Sequence, residues 1–217
     1  ALLYNPALFS VRDVKLVPYV YDLPKDSARA TRGFLTVSGT MAGEHLTVVV
    51  CHWPSRGASS HYREIAGTQV KAVKDSLLRD DPNCKVMVMG DMNDDPTNKS
   101  MTDCLSCKSE IDQVGPDNMY NPWHNILAKE GRGTLAYGGS WNLFDQIVMT
   151  PNLLNKKGQK DYSTLKFWKH HIFMRPYLIQ NEGKYKGTPK RTTAGGVWLN
   201  GFSDHLPVVL YLLKEQK

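Results

Sequence analysis

Val86-Met87-Val88-Met89 is an unbroken apolar run that ends abruptly in Gly90-Asp91-Met92-Asn93-Asp94-Asp95-Pro96. A strand apolar on both sides of its pleat is buried on both faces, so the run calls for a sheet covered on each side by other layers. Its carboxyl end must then emerge with acids and an amide. The same arrangement recurs at Val48-Val49-Val50-Cys51 before His52-Trp53-Pro54-Ser55-Arg56. Near the end of the chain the order reverses, and Ser203-Asp204-His205 precedes Leu206-Pro207-Val208-Val209. The chain therefore asks for a sheet whose strand ends gather polar chemistry at one edge.

At 217 residues the chain fits one domain, residues 1–217, with enough apolar content (41%) to bury a core. No apolar stretch is long enough to read as a membrane span. Arg32 to Val37 and Leu46 to Cys51 read as a hairpin turning at Ala42-Gly43-Glu44. Leu2 to Tyr4, Val14 to Val17, Phe144 to Met149 and Val208 onward read as further strands. From Ser60 to Arg79, apolar residues at Ala66, Val70, Val73 and Leu77 recur at helical spacing, and Asp80-Asp81-Pro82-Asn83 stops the helix. A short helix is expected around Trp123 to Lys129.

Charge is unevenly placed. Between Asn155 and Thr192 there are ten basic residues against two acidic ones, an excess of +8 in a chain of net charge +6. Residues 150–202 read as a basic, aromatic loop insertion containing Phe167-Trp168-Lys169-His170-His171 and Tyr185 to Arg191. Such a loop suits phosphate-bearing substrates, a lipid headgroup or a sugar phosphate, and equally suits a structural flap. His170 and His171 are unsuited as a metal pair, because neighbours on a strand face opposite ways. Cys51 and Cys84 fall in or beside buried strands, and Cys104 and Cys107 form a single Cys-x-x-Cys, read as a local disulfide or two free thiols. Compartment stays open, with a secreted or periplasmic protein among the possibilities. The chain opens with a strand already under way and without an initiator Met, as the later part of a longer protein would.

Phosphoester hydrolysis needs an oriented water, a stabiliser for charge on the phosphoryl oxygens, and a proton donor or metal at the leaving oxygen. Asp91 and Asn93, alternating in an extended stretch, would place a carboxylate beside an amide on one side; an Asx turn capping the next helix is the competing reading. Asp145 is a lone acid in the apolar run Leu143 to Met149, where a charge is costly unless paired. A pair between Asp145 and His205 would fix the imidazole tautomer and raise its basicity. His205 would then serve as general base or phosphate-contacting cation, with Asp204 as a metal or water ligand. His52 would donate the proton to the leaving group, and Arg56 and Arg63, with Ser55 and Trp53, would hold the substrate. Arg63 has an alternative role in anchoring the helix, and His52 has one as a turn residue at the surface.

Taken in order, Arg32-Gly33, Val50 to Ser55, Gly90 to Asn93, Phe144 to Val148 and Ser203 to Val208 resemble the successive motifs of the endonuclease/exonuclease/phosphatase superfamily, with pancreatic deoxyribonuclease among its members. The resemblance covers nearly the whole chain. It implies an α+β fold, a four-layer αββα sandwich of two mixed β-sheets, incomplete on the amino-terminal side. It implies Mg²⁺, or Mn²⁺ or Ca²⁺, as cofactor, with His52 and His205 flanking the scissile phosphate. The implied partner is a phosphate-ester substrate, with nucleic acid among the candidates. The family's metal-binding Glu, carried on an earlier strand, has no counterpart here, since Glu44, Glu64 and Glu110 sit in other contexts; Asp91 and Asp204 remain as metal ligands. Two alternatives stay open: a non-catalytic relative acting as a binding module, and a haloacid-dehalogenase-type phosphatase, which would need an Asp-x-Asp motif near its start.

Overall fold

The structure is a computed structural model, which describes residues 1–21 and 32–216. In chain order the elements are β1 (Phe9–Val17), β2 (Phe34–Met41), β3 (Glu44–His52), α1 (Ser60–Asp80), β4 (Lys85–Asp91), β5 (Cys107–Lys108) and β6 (Met119–Tyr120). They continue with α2 (His124–Glu130), β7 (Leu135–Tyr137), β8 (Ser140–Asn142), β9 (Asp145–Met149), β10 (Lys166–Ile172), β11 (Thr193–Ala194), β12 (Val197–Trp198) and β13 (Val208–Leu213). Seven strands form one mixed sheet in the order β1-β2-β3-β4-β9-β6-β5, and β10 and β13 form a separate antiparallel ribbon.

The central strands are buried on both faces for the reason their composition demands. On one face Val49, Cys51, Val86, Val88 and Val148 pack against Ala66 and Val70 of α1. On the other, Val48, Met87 and Met149 pack with Phe167, Leu210 and Leu212 of the ribbon. The two sets alternate along β3, β4 and β9, as side chains on a pleated strand must. Helix α1 starts at Ser59, whose side chain accepts a hydrogen bond from the His61 N–H at 3.3 Å, and Asp81 ends it in an extended conformation. Gly67 is required within it, since a side chain there would strike the carbonyl of Ser100 in the neighbouring π-helical turn.

Two expectations need correction. Leu2 to Tyr4 is not a strand: the Asn5 side chain accepts from the Ala7 N–H and the Asn5 carbonyl from Leu8 and Phe9, making a turn, and β1 starts only at Phe9. Residues 150–202 are not all loop, because β10 lies inside them. The expected α+β fold is met: a large mixed sheet carries few helices, and β10 and β13 pair antiparallel and pack beside it. All four cysteines are free thiols, and complete burial pushes Cys51 up to about 12. No helix among the described residues is long and apolar enough to cross a membrane.

Candidate active site

Strand register builds the centre of the site. β3 and β4 run parallel with His52 beside Asp91, and β4 and β9 run antiparallel with Asp91 beside Asp145. Three polar residues from separate parts of the sequence thus stand in a row across adjacent strands. The fourth, His205, comes from the turn before β13, and its Nδ1 lies 2.7 Å from Asp145 Oδ2. Thr134 Oγ1 donates to the same oxygen at 2.6 Å, and the Thr134 carbonyl accepts from Leu206 N–H at 2.7 Å, tying the His205 turn to the segment before β7. Thr134 is completely buried and stands in no recognisable motif; only the fold reveals it.

Asp91 ends its strand, and Gly90 makes that exit possible. Gly90 has φ of 137°, and a side chain there would collide with the Cys51 backbone. Asn93 is left-handed at φ 51°, so Asp91 and Asn93 do not alternate in an extended stretch as expected. They meet through an Asx turn: Asn93 N–H donates to Asp91 Oδ1 at 2.8 Å, while Asp91 Oδ2 faces His52 Nε2 at 3.6 Å. Asn93 Nδ2 donates to the Trp53 carbonyl at 2.9 Å, leaving its second N–H for another acceptor.

Two expected substrate contacts are moved into the interior. Trp53 is 1% exposed and packs in the α1-side core, so it has no surface to offer. Arg63 is 5% exposed; its Nε lies 2.8 Å from Asp94 Oδ1 and its Nη1 donates to the carbonyls of Ser55 and Ala58. It braces the loop after β3, the anchoring role that was its alternative. Arg56 is also heavily engaged, donating to the Asn93 carbonyl, Asn142 Oδ1, Asp95 Oδ2 and Asn98 Oδ1 and lying 4.2 Å from the centre of the Phe144 ring. It fixes the loop bearing Asn93 to β8. Ser55 and Asp204 are exposed.

Electrostatics separate the two imidazoles. Burial lowers the pKa of His52, and the Arg32 and His205 charges add to the fall, outweighing Asp91 and Asp145. Burial would also lower His205, but the hydrogen bond and charge of Asp145, with Asp91 and Asp204 behind it, raise it above the ordinary histidine value. Asp91 is pushed up by burial and by the neighbouring Asp145 charge, against the Asn93 N–H that lowers it. His52 is thus biased neutral and His205 cationic. Two imidazoles shifted in opposite directions within one strand-end cluster mark it as a candidate site.

The sequence matches the endonuclease/exonuclease/phosphatase family over residues 1–214. The chain belongs to this family. No protein with a curated function matches it. Solved structures that it resembles include an endonuclease/exonuclease/phosphatase family protein from Bacteroides thetaiotaomicron, 15% identical, covering 98% of this chain and 66% of that one at a TM-score of 0.57. A mannosyl-6-phosphatase of the same organism is 16% identical, with 97% and 69% covered and a TM-score of 0.56. TDP2 from D. rerio, in complex with a single-strand DNA product, is 13% identical, with 95% and 69% covered and a TM-score of 0.55. The chain spans about two thirds of the length of these structures, 65% of a truncated TDP2 from Caenorhabditis elegans. Such similarity establishes that the chain shares their fold. Family membership also removes the haloacid-dehalogenase alternative.

The metal question turns on the donor set. Among the described residues no three or more His, Cys, Asp or Glu side chains gather as a metal-binding group. Asp91 and Asp204 offer carboxylate oxygens, the donor type a hard divalent cation takes, and Mg²⁺ commonly uses only one or two carboxylates beside water and substrate phosphate. The residues present suit an open site of that kind and not a closed cage.

Proposed function

We propose that the chain is a divalent-metal-dependent phosphoesterase that hydrolyses a phosphodiester, as a nuclease does, or a phosphomonoester, by in-line attack of an activated water. The supporting observation is the row His52, Asp91 and Asp145 at one strand end, closed by His205 on Asp145. His205, whose pKa Asp145 raises, is suited to bringing positive charge to the phosphoryl group and to giving its proton to the leaving oxygen. Asp145 acts through it as a positioning residue. His52, whose pKa burial lowers, is suited to taking a proton from the attacking water, with Asp91 orienting that water. It differs from the role of leaving-group proton donor expected of His52. The remaining N–H of Asn93 reaches toward the substrate. Asp91 and Asp204 would hold Mg²⁺, Mn²⁺ or Ca²⁺, which when bound neutralises charge on the phosphoryl oxygens.

A second reading, a relative that binds without turnover, draws on the sparse metal-ligand set among the described residues. The discriminating experiment is hydrolysis of bis-p-nitrophenyl phosphate with Mg²⁺, with EDTA, and by His205→Ala. Hydrolysis that needs the metal and His205 supports the enzyme; turnover indifferent to His205→Ala overturns the assignment of this site. A panel of single-stranded DNA, RNA, sphingomyelin, inositol phosphates and mannose 6-phosphate then selects the substrate.

A further inference from the structure

Between β10 and β13 the chain holds large aromatic side chains in the open. Tyr177 is 58% exposed and Phe202 61% exposed, and their rings meet edge to face at 5.9 Å. They line a cavity of about 440 Å³, within the range of small-molecule sites. The polar lining is dominated by amides, Gln180, Asn181 and Asn200, with Glu182 and Lys190 beside them.

The frame under these rings is cross-tied. Lys190 N–H donates to the Leu178 carbonyl and Phe202 N–H to the Lys190 carbonyl, each at 2.7 Å, and Thr192 Oγ1 donates to the Phe202 carbonyl at 3.0 Å. Gly201 lies so close to the Lys190 and Arg191 carbonyls that any side chain there would collide with them. Phe202 is three residues from His205, a chain distance of at most about 11 Å. That backbone separation is short enough for one strand of nucleic acid to bridge. From Phe173 to Phe202 the segment carries Arg175, Lys184, Lys186, Lys190 and Arg191 against Glu182 alone.

We propose that the Tyr177–Phe202 cavity is a nucleobase site, in which one base of a single-stranded nucleic acid packs on the two rings while a phosphate of that strand lies at His205. The assignment rests on the phosphoesterase reading for its second half only. Aromatic faces stack any base, the amides and Glu182 match the donor and acceptor pattern of a base edge, and five cations suit a polyanion. A hexose phosphate would also stack, yet it presents one phosphate and leaves most of that charge unused.

The test is fluorescence anisotropy of a short labelled single-stranded oligodeoxynucleotide with the chain in EDTA, where binding is read without hydrolysis. Tyr177→Ala and Phe202→Ala should each weaken binding by roughly 5- to 150-fold, the effect of one lost stacking contact. Tyr177→Phe should retain binding, an abasic oligonucleotide should bind the parent as weakly as the alanine variants bind the normal strand, and Trp168→Ala, on the β10 strand, should bind like the parent. Equal binding by parent and both alanine variants, or loss in them of hexose phosphate binding alone, overturns the proposal. Absence of His205-dependent hydrolysis would instead remove the phosphoesterase reading and leave this binding result standing.

Discussion

The two ends of the central sheet are built from the same kinds of residue and do opposite things with them. At the end where β3 and β4 begin, Glu44 Oε2 lies 2.5 Å from Lys85 Nζ, and Glu44 Oε1 accepts from Lys214 Nζ at 2.7 Å and from the Leu165 N–H at 2.9 Å. Burial would raise the pKa of Glu44, but the hydrogen bonds from Lys214 and Lys85 outweigh it and bring the carboxyl to about 2. At the other end Asp91 and Asp145 face only imidazoles as ion partners among the described residues, and Asp91 is raised rather than lowered. One end is a clamp in which a carboxylate is answered by two lysines and an N–H. The other keeps two carboxylates close together whose ion partners are imidazoles, with the Asn93 N–H and the Thr134 hydroxyl as their neutral donors, an arrangement expected of a site more than of a structural clamp.

His205 offers the severest trial of this contrast. His205→Ala should lower kcat/KM for a phosphodiester by about 10²–10⁴-fold, the range for a positioned proton-handling or charge-bearing group, with little change in the urea unfolding midpoint. A loss of activity that merely tracks a loss of folded protein would make His205 a structural residue like those of the clamp. Asp145→Asn comes next, with a fall of about 10–100-fold, because the imidazole keeps a neighbour of the same shape without its charge. Asp145→Glu should recover part of the loss; equal defects in the two variants would argue against charge as the cause.

At the clamp the effect should appear in stability instead. Glu44→Gln leaves Lys85 and Lys214 poorly answered and should cost about 2–3 kcal/mol at neutral pH in urea unfolding, with activity per folded molecule retained. Because the folded-state pKa of Glu44 is depressed, its contribution is present above its unfolded value near 4.5 and fades as pH falls toward 2. The gap between parent and Glu44→Gln should therefore narrow over that window. A gap unchanged between pH 7 and pH 3 would show that the ion cluster is not what joins these elements.

The same contrast governs how much of the molecule is legible in the sequence. Apolar runs broken by acids mark where strands surface, so Asp91, His52 and Asp145 stand out, and a lone acid in the apolar run around Asp145 calls for the partner that His205 provides. Burial of neighbours is not legible in that way. Trp53 and Arg63 lie beside exposed candidates, and only the packing of α1 and the position of Asp94 show that one fills the core and the other braces a loop. The extent of β10 is hard to read because its register shifts between Phe167 and Lys169 against β13, which interrupts the alternation a strand would show. The clamp is equally hidden, since Glu44, Leu165 and Lys214 are brought together by tertiary structure alone.

Thr134 gives the smallest effect and the finest discrimination. Its hydroxyl donates to Asp145 Oδ2, the oxygen that also meets His205, while its backbone carbonyl holds Leu206. Thr134→Val keeps the shape and the backbone bond and deletes only the hydroxyl, so the His205 turn should stay in place. The lost hydrogen bond should cost about 1 kcal/mol of stability, since Asp145 retains its imidazole partner. Activity should fall severalfold, well short of Asp145→Asn, because the carboxylate keeps its charge and loses only one of the two contacts that aim it. Thr134→Ser, which restores the donor, should recover activity even though it leaves a small void. If Thr134→Ser is as impaired as Thr134→Val, the methyl group's packing and not the hydroxyl's aim at Asp145 is what this residue contributes, and Thr134 belongs with the structural residues of the clamp.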